Sequence, residues 1–325
     1  MSFARRAFLQ LAVAAAAAPF VPKRAWSQAY PARPVHWIVG YPPAGATDIT
    51  ARLMGQWLAA RLGQQFVVEN RPGASGNIGT EAVVKAAPDG YTLLLVNAGN
   101  AINATLYKGL PFVFVRDIAP IASVVRVPLV MLVNPSLPIA SLPEFIAYAK
   151  ARPGQLNIAS AGTGTPQHVA GELFKMMTGI SMTHVPYRGS AAALTDLLGG
   201  QVQVAFDTTA AAIEYTRAGK LRPLAVTTAA RSEALPGTPT VGDFVAGYEA
   251  SGWYGVGAPK NTPAEIIDKL NQEINAGLAD PKIKARFAEL GAAVFAGSPA
   301  DFERFIVAET AKWAKVIEFS GATAD

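Results

Sequence analysis

The sequence predicts an α/β protein of two lobes with a cleft between them, the second lobe inserted into the first. Three observations carry that prediction. Strand-like and helical patterns alternate from residue 35 onward. The alternation starts again in a second block at residue 156. Two apolar runs, 129–133 and 252–256, bracket that block, as two extended crossings between lobes would. With 325 residues, 51% hydrophobic and 16% charged, the chain has material for two medium domains and no signature of disorder.

The elements follow in order. Val35-His36-Trp37-Ile38-Val39 is a short, mostly apolar strand, and Ile49, Leu53, Trp57 and Leu62 then recur at helical spacing. Phe66-Val67-Val68 is the next strand, and "RPGASGNIG" leads into a helix over 81–86. "PDG" at 88–90 marks a turn before a strand over 91–96. This βαβαβ order argues for a parallel sheet with helices on its faces. In the second block, residues 156–160 form a strand, "AGTGTP" is a small-residue loop, and Val169, Leu173 and Met176 continue as a helix. Strands over 183–186 and 201–206 flank a helix over 191–198. The C-terminal part, 263–319, reads as helices, with Ile266, Leu270 and Ile274 on one face and Phe302, Phe305, Ile306 and Trp313 on another.

Residues 1–29 carry Arg5-Arg6, an alanine-rich apolar run and small-x-small sites at 25–27 and 27–29. That is a secretory signal, too short and weak to span a membrane, of a twin-arginine or a Sec type. Its removal places the mature protein in the periplasm. Arg5, Arg6, Lys23 and Arg24 leave with it, so 24 basic and 23 acidic side chains remain, a net of +1. Nothing here points to nucleic acid, which needs a clustered basic face.

Catalytic and cofactor signals are poor. There is no cysteine, which excludes disulfides, thiolate zinc sites and a cysteine nucleophile. His36, His168 and His184 stand in separate segments without metal-ligand spacing. No G-x-S-x-G elbow or P-loop occurs, and neither "GASGNIG" nor "GTG" is a dinucleotide fingerprint. No metal and no cofactor is expected.

Two loops suit an anion instead. "YPPAGATD" at 41–48 and "SAGTGTPQH" at 160–168 each put small residues before a helix, where unpaired N–H groups and the helix dipole favour negative charge. Asp48 suits a ligand contact or a general base, but its place before Ile49 favours helix capping. Thr165 is the N-cap and Pro166 the first helical residue of the second helix, so a first-turn polar residue near the cleft is preferred for His168 over a catalytic base. Arg188 in "VPYRGS" is the candidate cation for a carboxylate, with a plain surface arginine as the alternative. Asp207 ends a strand, where it accepts from a ligand or caps the helix beginning near residue 210, with capping preferred.

Taken together, "YPPAGATDITARL", "VVENRPGASGNIG", "AAPDGYTLLL", "NIASAGTGTPQHVAGELF", "HVPYRGSAAALTDLLGGQVQVAFD" and "LRPLAVTTAARSEALPGTPTV" cover most of residues 33–260. In this order they resemble the periplasmic solute-binding proteins of the tripartite tricarboxylate transporters, the Bug-type receptors. The resemblance implies a Venus-flytrap fold, each lobe a largely parallel sheet flanked by helices. The expected boundaries are 30–129 with 251–325 for the first lobe and 130–250 for the second. It implies a small carboxylate as ligand, membrane permease subunits as partners, and no enzymatic activity; a monomer is expected. The implied ligand-binding residues are Ala44, Gly45, Ala46, Thr47 and Asp48 in the first loop, and Ser160, Ala161, Gly162, Thr163, Thr165 and His168 in the second. Asn97 and Ala98, then Tyr187, Arg188 and Gly189, then Asp207 and Thr208, support them. The family's usual pair of glycines in the first loop is Ala44-Gly45 here. Because alanine disfavours positive φ, that loop is expected to be shaped differently. The competing classes are a sensory receptor without a transport role and an enzyme, a hydrolase or dehydrogenase, on a similar scaffold.

Overall fold

The computed structural model describes residues 30–324. The export signal expected over 1–29 lies outside the described residues. The chain begins with β1 (Val35–Val39), α1 (Ala46–Leu62), β2 (Phe66–Asn70), α2 (Asn77–Val84), β3 (Thr92–Asn97) and α3 (Ala98–Leu106). A short α4 (Phe114–Asp117) leads into the long strand β4 (Ile118–Val133). After it come α5 (Leu142–Lys150), β5 (Asn157–Ser160), α6 (Pro166–Thr178), β6 (Thr183–Pro186), α7 (Ser190–Leu198), β7 (Val204–Thr208), α8 (Thr209–Arg217) and β8 (Arg222–Val226). The chain closes with β9 (Ser251–Pro259), α9 (Ala264–Ala279), α10 (Pro281–Glu289), β10 (Ala293–Val294) and α11 (Pro299–Ser320).

The strands run in the order β2-β1-β3-β9-β4-β7-β5-β6, with β8 and β10 also paired to β4. β1 is parallel to β2 and β3, and β5 is parallel to β6 and β7. In β1, Val35, Trp37 and Val39 on one face and Ile38 on the other are buried, so that strand reads as an apolar run rather than an alternation. β9 lies antiparallel between β3 and β4.

β4 joins the two groups of strands. Its pairs with β9 run from Ile118↔Pro259 to Pro128↔Ser251. Its pairs with β7 run from Leu129↔Thr208 to Val133↔Val204. Pro128, which has no N–H to give to a ladder, stands where the strand changes partners. The apolar runs at 129–133 and 252–256 are thus parts of longer strands. The first helix starts at Ala46, three residues earlier than its apolar periodicity indicates, because small residues open it.

β9 is fixed from behind by α11. Trp253 lies edge-on to Phe302 and Phe305, at 5.9 and 5.3 Å between ring centroids. The indole N–H groups of Trp253 and Trp313 both donate to Glu309 Oε2, each at 2.9 Å. Lys312 pairs with the same carboxylate. One buried carboxylate therefore satisfies two buried indoles. Glu309→Leu should cost about 2–4 kcal/mol, because both N–H groups lose their acceptor away from water. Urea unfolding should show the midpoint falling with an unchanged slope.

Candidate functional site

Four of the strand-to-helix turns meet at one cavity of about 500 Å³. They are β1 to α1, β3 to α3, β5 to α6 and β7 to α8. The N-cap residues of these helices are Gly45, Asn97, Thr165 and Thr208, and all four line the cavity. β4 and β9 supply the remaining wall through Val127, Leu129, Gly252, Trp253 and Tyr254. No lining residue carries a formal charge.

The first turn departs from expectation in two ways. Ala44 takes the left-handed conformation, with φ of 66°, despite its Cβ. Its N–H then donates to Asp48 Oδ2 at 2.9 Å, which holds it there. Asp48 is not the cap of a helix beginning at Ile49. It lies within the first turn, buried, and accepts from Arg52 Nε and Asn70 Nδ2 as well, each at 2.9 Å. Burial alone would raise its pKa; the bonds from Arg52, the Ala44 N–H and Asn70 outweigh that and hold it below the usual carboxylate value. The cap is Gly45, at φ −80° and ψ 168°, and no side chain bonds to this helix end. Gly45, Ala46 and Thr47 face the cavity; Ala44 and Asp48 brace them from outside it.

At the second turn Asn97 Oδ1 accepts the Gly99 N–H at 2.7 Å, and the Asn97 N–H donates to Asn100 Oδ1 at 2.9 Å. The Tyr41 hydroxyl donates toward Ser75 O at 3.1 Å and Asn97 Oδ1 at 3.3 Å. Burial pushes the Tyr41 phenol up to about 12, so it stays a neutral donor. Asn97 and Ala98 both line the cavity.

The third turn is capped as its sequence indicates. Thr165 Oγ1 accepts from the His168 N–H at 3.3 Å, and Pro166 opens the helix. Thr163, Gly164 and Thr165 face the cavity, while Ser160, Ala161, Gly162 and His168 do not. His168 is a buried brace rather than a residue on the cleft. Its Nδ1 accepts the Gly164 N–H at 3.2 Å, and its ring stacks on His184 at 3.9 Å. His184 Nε2 lies 2.7 Å from Ser160 Oγ, which accepts the Gly162 N–H at 3.2 Å. The histidines thus meet in space, a pairing their separation in sequence concealed.

At the fourth turn the cap is Thr208, whose Oγ1 accepts from the Ala211 N–H at 3.3 Å. Asp207 is not the cap. It is buried and accepts from Ser190 Oγ and the Thr208 N–H, each at 2.7 Å, and from Gln167 Nε2 at 3.4 Å. Burial raises its pKa, against those three bonds. Tyr187, Arg188 and Gly189 do not line the cavity: Tyr187 donates to Asp196 Oδ2 at 2.7 Å, and Arg188 is exposed.

Sequence reasoning missed the wall. Tyr41, Ser75, Asn103, Gln167, Trp253 and Tyr254 also line the cavity. Ser75, at φ 53°, sits in "GASG", which reads as an ordinary turn. Trp253 and Tyr254 read as strand core. Among the described residues, no group of three or more His, Asp or Glu side chains is arranged to hold a metal. No helix among them is long and apolar enough to cross a membrane.

The buried imidazoles give the fold a pH dependence. Burial, with the Lys175 charge nearby and the neighbouring ring for His168, lowers His168 to about 3 and His184 to about 4 from 6.5. The unfolded chain therefore binds more protons below pH 6.5. The stability they contribute is whole above that pH and is lost as pH falls toward 4 and 3. Urea titrations at pH 7, 6 and 5 should show stability falling, approaching about 1.4 kcal/mol per pH unit for each imidazole. His184→Gln should flatten that slope.

Comparison with known proteins adds the following. Residues 50–322 match the family model described as the tripartite tricarboxylate transporter family receptor. The chain is 41% identical to protein BugT of Bordetella pertussis over 298 residues, covering 90% of this chain and 91% of that one. A structure of R. palustris Rpa4515 with adipate is 39% identical, with TM-score 0.76, over 90% of this chain and 99% of that one. A structure of MatC (Rpa3494) from Rhodopseudomonas palustris with bound malate is 30% identical, with TM-score 0.73, over 89% of this chain and 100% of that one.

Proposed function

Since this chain belongs to the tripartite tricarboxylate transporter receptor family, whose members are periplasmic solute-binding receptors, we propose that its cavity captures a small carboxylate through neutral backbone groups and does no chemistry on it. One observation carries this reading: four helix N-termini line a cavity to which no side chain brings a charge. Each helix end is worth roughly 0.3–1 kcal/mol to an anion through its dipole, before any direct N–H bond. A phosphate site would normally recruit lysine, and no lysine lies between Lys23 and Lys85. Bound dicarboxylates in Rpa4515 and MatC support the ligand class.

In this reading Gly45, Ala46, Thr47, Asn97, Ala98, Thr163, Thr165 and Thr208 touch the ligand. Ala44, Asp48, Ser160, Ala161, Gly162, His168 and Asp207 shape the turns that present them. Residues 30–129 with 251–325 make one lobe and 130–250 the other, and the change of partner at Pro128 in β4 is the hinge. The receptor is exported by the signal at 1–29, works as a monomer in the periplasm and hands its ligand to membrane permease subunits.

Gly45→Val tests the reading. A Cβ there meets nothing nearer than Pro42 O at 3.8 Å, and φ is negative, so the fold tolerates it while the branched side chain enters the cavity. Calorimetry against mono-, di- and tricarboxylates should find a ligand for the wild type and none for the variant. A ligand at a hundred times its Kd should stabilise the wild type by about 2.7 kcal/mol, and that gain should vanish. Arg188→Ala should bind within about twofold of wild type, since the side chain is exposed and outside the cavity. Normal binding by Gly45→Val together with complete loss in Arg188→Ala would mean that a salt bridge carries recognition.

A further inference from the structure

The cavity lining carries a phenol that the fold does not use. Tyr254 stands in β9 opposite Asn97 of β3 and lines the cavity half-buried. Tyr41, Tyr107, Tyr187 and Tyr248 each direct a hydroxyl to acceptors in the protein, which are Ser75 O with Asn97 Oδ1, Ser75 Oγ, Asp196 Oδ2 and Ala170 O respectively. Among the described residues, none bonds the Tyr254 hydroxyl. Nor is that hydroxyl sealed from solvent: the polar side-chain atoms buried without a partner belong to Trp37, Asn77, Asn103 and Glu172. A phenol in a cleft ordinarily finds a partner for its O–H. This one is left to whatever occupies the cavity.

Its position is firmly held. Successive side chains of a strand point to opposite faces, and Trp253 turns toward α11, where Glu309 takes its indole N–H and Phe302 and Phe305 meet its ring. Tyr254 therefore turns the other way. β3 lies between β9 and β1, so β9 stands two strands from β1, roughly 10 Å at ordinary strand spacing. Tyr41 follows β1 directly, and its hydroxyl bonds Asn97, the residue paired with Tyr254. Tyr41 and Tyr254 thus flank Asn97. Burial, with the Tyr41 phenol nearby, pushes the Tyr254 hydroxyl up to about 12, so it stays protonated and able to donate. The turn after Tyr41 leads into α1, whose end is the one of the four with no side chain bonded to it. A carboxylate at that end has lone pairs to spare, because its two oxygens accept about four bonds.

Resting on the carboxylate reading above, we propose that Tyr254 is a ligand-binding residue whose hydroxyl donates to the same carboxylate that meets the open end of α1. The anchor is then one neutral O–H added to backbone N–H groups, and it needs no cation. A hydrogen bond to a charged acceptor is about twice as strong as one between neutral groups, so a single phenol carries weight in a cavity whose lining has no formal charge. Every member of the ligand class brings a carboxylate. Tyr254 therefore sets how tightly the class is held rather than which member is preferred. The far end of the ligand, apolar or a second carboxylate, meets other parts of the lining.

Tyr254→Phe removes the one oxygen at issue and tests the proposal. Two measurements on the purified protein are needed. Urea unfolding without ligand should give the wild-type midpoint, because the hydroxyl makes no bond within the fold. Calorimetry is then run with every mono-, di- and tricarboxylate that binds the wild type. Affinity should fall about tenfold or more, as the loss of a hydrogen bond to a charged group implies, and by a similar factor for each ligand. Unchanged affinity overturns the proposal. So does a loss confined to some ligands, which would place the hydroxyl at a far end rather than at the shared carboxylate. A variant that fails to fold, or whose ligand-free midpoint drops, also overturns it, since the hydroxyl would then serve the fold. Each of these results leaves the carboxylate reading standing as long as the wild type binds. If the wild type binds no carboxylate of the panel, that reading fails, and this inference with it.

Discussion

In the proposed reading an anion is held without a cation, by neutral donors at helix N-termini, and the turns that line the cavity are placed to present them. β1, β3, β5 and β7 each end at the cavity and turn directly into a helix there. Open α/β sheets offer ligands the carboxyl ends of their strands, where helix N-termini follow. Here two parallel groups do so toward one space, because β4 runs through both. The long strand is what allows turns from residue 45 and residue 208 to line the same cavity.

Presenting bare backbone requires support out of sight of the ligand, and most of the polar side chains near the site provide it. Asp48 fastens Ala44 in a conformation alanine seldom adopts, and Arg52 and Asn70 in turn fasten Asp48. The His168–His184 stack and Ser160 hold the glycine-rich turn before α6. Asp207 ties Ser190 and Gln167 to the start of α8. In the proposed reading these ionisable groups act on the chain rather than on the ligand. Their perturbed pKa values follow from burial and hydrogen bonding and need no catalytic role.

The order of strands and helices was legible because each has a local cause. Apolar periodicity marks α1 and α11, "PDG" marks the turn before β3, and Thr165-Pro166 marks the start of α6. The small-residue loops were legible as turns that open a helix for the same reason: exposed backbone at a helix start needs no distant partner. What stayed hidden depends on residues far apart in sequence. Nothing near Asp48 or Asp207 announces Asn70 or Ser190 as partners, so capping was the natural local reading of both. Nothing near Arg188 indicates that its side chain stays out of the cavity lining. The walls from Trp253 and Tyr254 come from a segment whose local pattern is that of ordinary core, and only the register of β9 against β3 and β4 brings them to the site.

Backbone recognition leaves a signature that salt bridges do not. Amide proton and nitrogen shifts of the ¹⁵N-labelled protein, followed during titration with a bound carboxylate, report which N–H groups accept the charge. The largest changes should fall on the amides of Gly45, Ala46 and Thr47, with the ε-NH resonances of Arg52 and Arg188 nearly unmoved. Large shifts at either arginine, with the amides at the start of α1 unchanged, would contradict the account.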